Sequence, residues 1–156
     1  MNVNDVEYQC WHELGHAFTC IELGGDIECV EFLENHDVGQ ARARCITNQN
    51  IRQLVACGGF AAEWVLYQDG DLGQQEERAM TQTLFRNATI DRIMYHSLNL
   101  ESELTEAQDR EFMNCASLKV VPIIRKYKNK IAIAVAELKK SKSMSGKRIK
   151  QIINET

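Results

Sequence analysis

Residues 9 to 18 read QCWHELGHAF and place two imidazoles, His12 and His16, four positions apart with the carboxylate of Glu13 between them. On an α-helix, side chains four apart point about 40° from one another and lie about 6 Å apart along the axis, so both rings can reach one ion. Zinc held this way lowers the pKa of a bound water to about 7, and a neighbouring carboxylate takes its proton as it attacks a peptide carbonyl. Glu13 is the candidate for that base. The plainer reading is a histidine pair that is only hydrogen-bonded. Two histidines are too few for a catalytic zinc, which takes three protein ligands and leaves the fourth position to water. A metzincin would carry a glycine and a third histidine where this chain has Thr19 and Glu22, which excludes that class. His36 and His96 lack motif context and read as ordinary surface residues, so the third ligand must be a downstream carboxylate.

A helix has to hold these side chains. Asn4 with Glu7 three positions on resembles a capping box, and Val6, Trp11, Leu14, Phe18 and Ile21 then recur at helical spacing until Gly24-Gly25 ends the run, giving a helix over about 4–24. DIECVEFL and VGQARARCI alternate, are separated by ENHD and read as a β-hairpin over about 26–46, with Ala41, Ala43 and Cys45 on one face and Gln40, Arg42 and Arg44 on the other. Helices follow over about 50–68, 74–98, 103–117, 122–141 and 146–154, with Pro122 as an initiating residue. Inside the first of these, Gly58 and Gly59 cost about 1 kcal/mol each against alanine, which predicts close contact with another helix.

With 156 residues, 44% hydrophobic and 26% charged, the chain is sized for one domain. Residues 119 to 150 carry eleven Lys or Arg against the single Glu137, while the rest is acidic. The lysines lie opposite an apolar stripe, as on any solvated helix, and no nucleic-acid partner is expected. Six cysteines without a C-x-x-C pair read as free, structural thiols. An acidic beginning and the lack of an apolar run near 20 residues predict no signal peptide, no membrane span and a soluble, cytoplasmic protein.

Four segments resemble the peptidase domain of the FtsH family of ATP-dependent zinc proteases. HELGHAF is similar to the family's His-Glu-Ala-Gly-His-Ala, and CGGFAAEWVL resembles its Gly-Gly-Arg-x-Ala-Glu-Glu helix. A long third helix follows at a similar distance, and YKNKIAIAVAELKKSKSMSGKRIKQII looks like the family's terminal helix pair. The resemblance implies zinc as cofactor and a third ligand from an aspartate in Gly-Ala-Ser-Asn-Asp. Placing GQQEE on that motif puts Glu77 at the ligand position, fourteen residues after Glu63. Asp91, in ATIDRIM, is the rival, keeping the aspartate at the cost of an insertion of about a dozen residues. Glu76, Asp71 or no third ligand remain open. Glu63 matches a family acidic residue near the metal and could accept the second ring N–H of either histidine.

The expectation is a mainly α, zincin-type peptidase domain with a small β-hairpin after the His-Glu-x-x-His helix. It would hydrolyse flexible or unfolded polypeptides independently of ATP, since no G-x-x-x-x-G-K-[ST] occurs, and an ATPase partner acting in trans is possible. The alternatives are a peptidase-fold binding module without activity and a dedicated HELGH protease cutting one regulatory partner.

Overall fold

A computed structural model describes residues 1–33, 40–73 and 75–155. The chain is mainly helical with a small three-stranded antiparallel sheet. Helix α1 (Val6–Glu22) runs through the middle, burying Tyr8, Trp11, Leu14, Ala17 and Phe18. Its cap is Asp5, one residue later than the Asn4 read from the sequence: an Asp5 carboxylate oxygen accepts the Tyr8 N–H at 2.8 Å, while Asn4 sits at φ 68°, a left-handed value that asparagine tolerates.

Strands β1 (Asp26–Leu33) and β2 (Gln40–Ile46) pair antiparallel, with Val30 opposite Ala43 and Glu31 opposite Arg42. The turn joining them, with His36, lies outside the described residues. A third strand, β3 (Ser143–Ser145), pairs with the other side of β1, giving the order β2-β1-β3 and leaving β2 at an edge. Three residues are too few to show alternation, which is why the sequence reading passed over β3.

The expected helix over 50–68 is divided at Cys57 into α2 (Arg52–Ala56) and α3 (Gly58–Gln68). The expected helix over 74–98 is divided at Ala88 (φ −93°, ψ 16°) into α4 (Glu77–Asn87) and α5 (Thr89–Tyr95). A π-helical turn, Ala116–Val120, joins α6 (Glu106–Cys115) to α7 (Val121–Ser141), with Pro122 in the first turn of α7. The chain closes with α8 (Gly146–Asn154).

Helix α1 packs on α3, on α7 and on the sheet. The α1–α3 approach explains the glycine pair: a Cβ on Gly58 would lie 2.6 Å from the Gly15 carbonyl oxygen and 2.8 Å from the His16 Cα, and one on Gly59 would lie 2.4 Å from Nε2 of His12. No side chain fits between these backbones, so the propensity lost at the two glycines is the condition for bringing α3 against the histidine-bearing turn.

The charge asymmetry of the sequence closes on itself in space. Arg125 and Lys128 pair with Asp69, Lys126 with Glu22, Lys139 with Glu7, and Lys150 with Asp26. Such exposed pairs contribute little stability but neutralise the basic helices against the acidic part of the chain. All six cysteines are free thiols. Among the described residues no helix is long and apolar enough to cross a membrane.

Candidate metal centre

Three side chains from two helices converge beside α3. Nε2 of His12 and Nε2 of His16 are 3.2 Å apart, and Asp91 Oδ2 lies 3.0 Å from the first and 3.2 Å from the second. Helical spacing brings the two rings together, as read from the sequence; Asp91 is delivered by α5, 75 residues beyond His16. Side-chain exposures of 16%, 11% and 17% leave the triangle reachable from solvent.

The surroundings fix which ring nitrogens face inward. Nδ1 of His16 is 2.7 Å from the Val55 carbonyl oxygen at the α2–α3 break. A carbonyl can only accept, so Nδ1 carries the hydrogen and the neutral ring presents a bare lone pair at Nε2. Nδ1 of His12 is 2.8 Å from Oε2 of Glu63, a fully buried residue of α3, and donates to it when Glu63 is ionised. With Glu63 ionised and both rings set this way, two nitrogen lone pairs and a carboxylate oxygen meet with no hydrogen between them, an arrangement that favours a positive charge among them. A tetrahedral zinc with bonds of about 2.0–2.1 Å separates its ligand atoms by about 3.3–3.4 Å, so the donor types and the near-equal 3.0–3.2 Å edges of the triangle fit such an ion with a small expansion.

No family model matches the chain, and no curated protein matches its sequence.

Without a cation, a proton takes that role. Burial works to lower the pKa of His16, but the charge and hydrogen bond of Asp91 outweigh it, with Glu13 and the Val55 carbonyl adding, and the ring rises to about 9. Burial works to raise Asp91, and the two histidines outweigh it, holding the carboxyl far below the usual carboxylate range. Glu63 goes the other way: burial first, then the charge of Asp91, push it well above its ordinary value, opposed by the Asn87 amide. One of its oxygens, Oε1, is buried without a hydrogen-bond partner, and a nearby cation would favour its charged, accepting form.

Glu13 faces the same side and is held from the sheet, its Oε2 accepting the Ala43 N–H at 2.8 Å. β2 is the end strand of the described sheet, and its Ala43 N–H is taken up by this carboxylate. The third member of the cluster, its one carboxylate, is Asp91 and not Glu77. Glu77 opens α4 with its side chain exposed, outside the group His12, His16 and Asp91. The reason is the break at Ala88: a continuous helix over 74–98 would put Glu77 and Asp91, fourteen residues apart, on one face, whereas they stand on two separate helices. Glu76 and Asp71 are likewise outside the cluster, and His96 hydrogen-bonds the Gln108 carbonyl at 3.0 Å. Two contributors carry no residue-type signal at all, since the Val55 carbonyl and the Ala43 amide are backbone groups. Glu63, which the resemblance implies as an acidic residue near the metal, falls one turn beyond Gly59 on the face of α3 that meets His12.

Proposed function

We propose that this chain is a zinc-dependent metallopeptidase domain of zincin type, similar to the peptidase domain of the FtsH family, that hydrolyses peptide bonds in flexible or unfolded polypeptides. The observation that carries the reading is the His12–His16–Asp91 triangle, with both inward lone pairs fixed from behind and Glu13 alongside. Zinc bound there would polarise a peptide carbonyl and make water acidic enough to lose a proton near neutral pH. Glu13 would be the group to accept that proton and to return it to the amine as the C–N bond breaks, the water oxygen ending on the new carboxylate. The Ala43 N–H keeps the Glu13 carboxylate aimed, and Glu63 and the Val55 carbonyl keep the ring hydrogens of His12 and His16 on Nδ1. Among the described residues β2 is paired with a strand on one side only, and the main-chain groups of its other side that Glu13 does not occupy could hold an extended peptide beside the metal.

A binding module without activity would follow from a missing third ligand; Asp91 offers a carboxylate from α5, which supports the enzyme reading. Protein purified without added metal is expected to hold about one zinc per chain. A content near zero that persists when zinc is offered at neutral pH would overturn the metal centre, and iron in its place would redirect the chemistry. Glu13→Gln should keep the zinc and lose cleavage of an unfolded, fluorescently labelled protein; equal activity in the variant would refute the mechanism. Peptide capture without cleavage would favour the binding module, and cleavage of one folded regulator alone would favour the dedicated protease.

A further inference from the structure

Asp91 is the one member of the triangle carried by a short element. Helix α5 has seven residues, too few to be stable alone; it exposes Ile90 and Met94 and buries Ile93 and Tyr95. To that apolar contact the residue next to Asp91 adds a polar anchor. Arg92 is buried, and its Nε and Nη2 both donate to the Phe85 carbonyl in the last turn of α4, at 3.1 and 2.8 Å. Nη2 also reaches Thr89 Oγ1 at 3.4 Å, Nη1 donates to Asp109 Oδ1 of α6 at 2.7 Å, and the guanidinium stacks over the Phe85 ring. One planar group thus ties α5 to the end of α4 and to the start of α6.

Adjacent residues on a helix point about 100° apart, so with Arg92 pinned toward α4 and α6, Asp91 is turned toward α1. The leverage is large. At about 5–6 Å from the helix axis, a rotation of roughly 10° moves a side-chain oxygen by about 1 Å. Metal ligands have to be held within about 0.5 Å of their working geometry.

We propose that Arg92 is the positioning residue of the metal centre, acting through the orientation of α5 to bring Asp91 to His12 and His16. The inference rests on the metal reading of that cluster. Lysine keeps the charge but replaces the planar fork that spans Phe85, Thr89 and Asp109 with a single compact donor group.

The test is a competition titration of Zn²⁺ against a chromophoric chelator on purified wild type, Arg92→Lys, Arg92→Gln and Asp109→Asn, with melting temperatures of the chelator-treated proteins and Co²⁺ absorption spectra. Expected for Arg92→Lys is affinity per folded chain weaker by about 10- to 100-fold, with an altered Co²⁺ spectrum, and a smaller loss for Asp109→Asn. A lower melting temperature with unchanged affinity would mean a merely structural arginine and would overturn the proposal. Asp109→Asn, which removes one partner only, serves if the Arg92 variants fail to fold. If wild type itself takes up no Zn²⁺, the metal reading fails, and Arg92 is judged on the metal-free protein. There, faster amide exchange confined to residues 89–95 and shifted ring-nitrogen resonances of His16 in Arg92→Gln would support the positioning role, and unchanged values would overturn it.

Discussion

Gly59→Ala is the substitution that separates the site from the fold. In a helix interior the change ordinarily gains up to about 1 kcal/mol. Here the added Cβ would lie 2.4 Å from both Nε2 and Cε1 of His12, against a normal contact of about 3.5–4.0 Å, so the ring has to recede by about 1 Å or more. The obstacle is a side chain and not backbone, and the chain can accommodate it by swinging the imidazole. That swing leaves Glu63, which holds Nδ1 at 2.8 Å, and leaves the triangle with Asp91. Overpacking costs about 1–3 kcal/mol, and with the helix gain the net loss is about 0–2 kcal/mol, a few degrees in melting temperature for a chain of this size. The metal pays far more. Losing an outer partner alone costs about 10- to 100-fold in affinity, and here the ligand itself is displaced, so zinc binding should weaken by at least about 100-fold. Chelator-competition titration and thermal melts on the same samples read the two effects apart. Gly58→Ala is the contrast: its Cβ would meet the Gly15 carbonyl oxygen at 2.6 Å and the His16 Cα at 2.8 Å, so the helices must part and the melting temperature should fall further. A Gly59→Ala protein that binds zinc like wild type would refute both the close α1–α3 approach and the role of His12 as ligand.

Asp91→Ala should reduce bound zinc to near zero, whereas Glu77→Ala, altering an exposed residue at the start of α4, should leave zinc content unchanged; the reverse outcome in metal analysis would restore Glu77 as the ligand. The metal-free chain should also show a characteristic pH dependence. His16 is raised from 6.5 to about 9, so its contribution to stability is fully present below 6.5 and is lost as pH rises through about 9. Asp91 is lowered, so its contribution is present above its ordinary 3.8 and is lost as pH falls below that. Melting curves of chelator-treated protein from acid to alkaline pH should therefore show wild type losing, between pH 6.5 and 9, an advantage over Asp91→Asn that it holds near neutrality; parallel curves would exclude the coupling.

What the sequence made legible was whatever a local period encodes. His12, Glu13 and His16 are fixed by one turn of helix, and the Gly58-Gly59 pair announced a close approach because its cost needed a return, although nothing in it named the His12 ring as the neighbour. The third ligand was legible as a residue type and not as a position. A continuous helix from 74 to 98 puts Glu77 and Asp91 on one face nearly four turns apart, and the motif then favours the residue nearer its start. The chain instead turns at Ala88, and the partner that secures the turn, Arg92, folds back on the Phe85 carbonyl, a contact that no hydrophobic period records. The division at Cys57 has the same character: by it the Val55 carbonyl meets His16, and the tautomer of a ligand comes to depend on a backbone atom. In this centre the atoms that would meet the metal are written in residue types, while the atoms that aim them are carbonyls, an amide and two helix breaks. A sequence reading therefore finds the chemistry before it finds the geometry, and errs where two carboxylates of equal chemistry differ only in which break lies between them and the histidines.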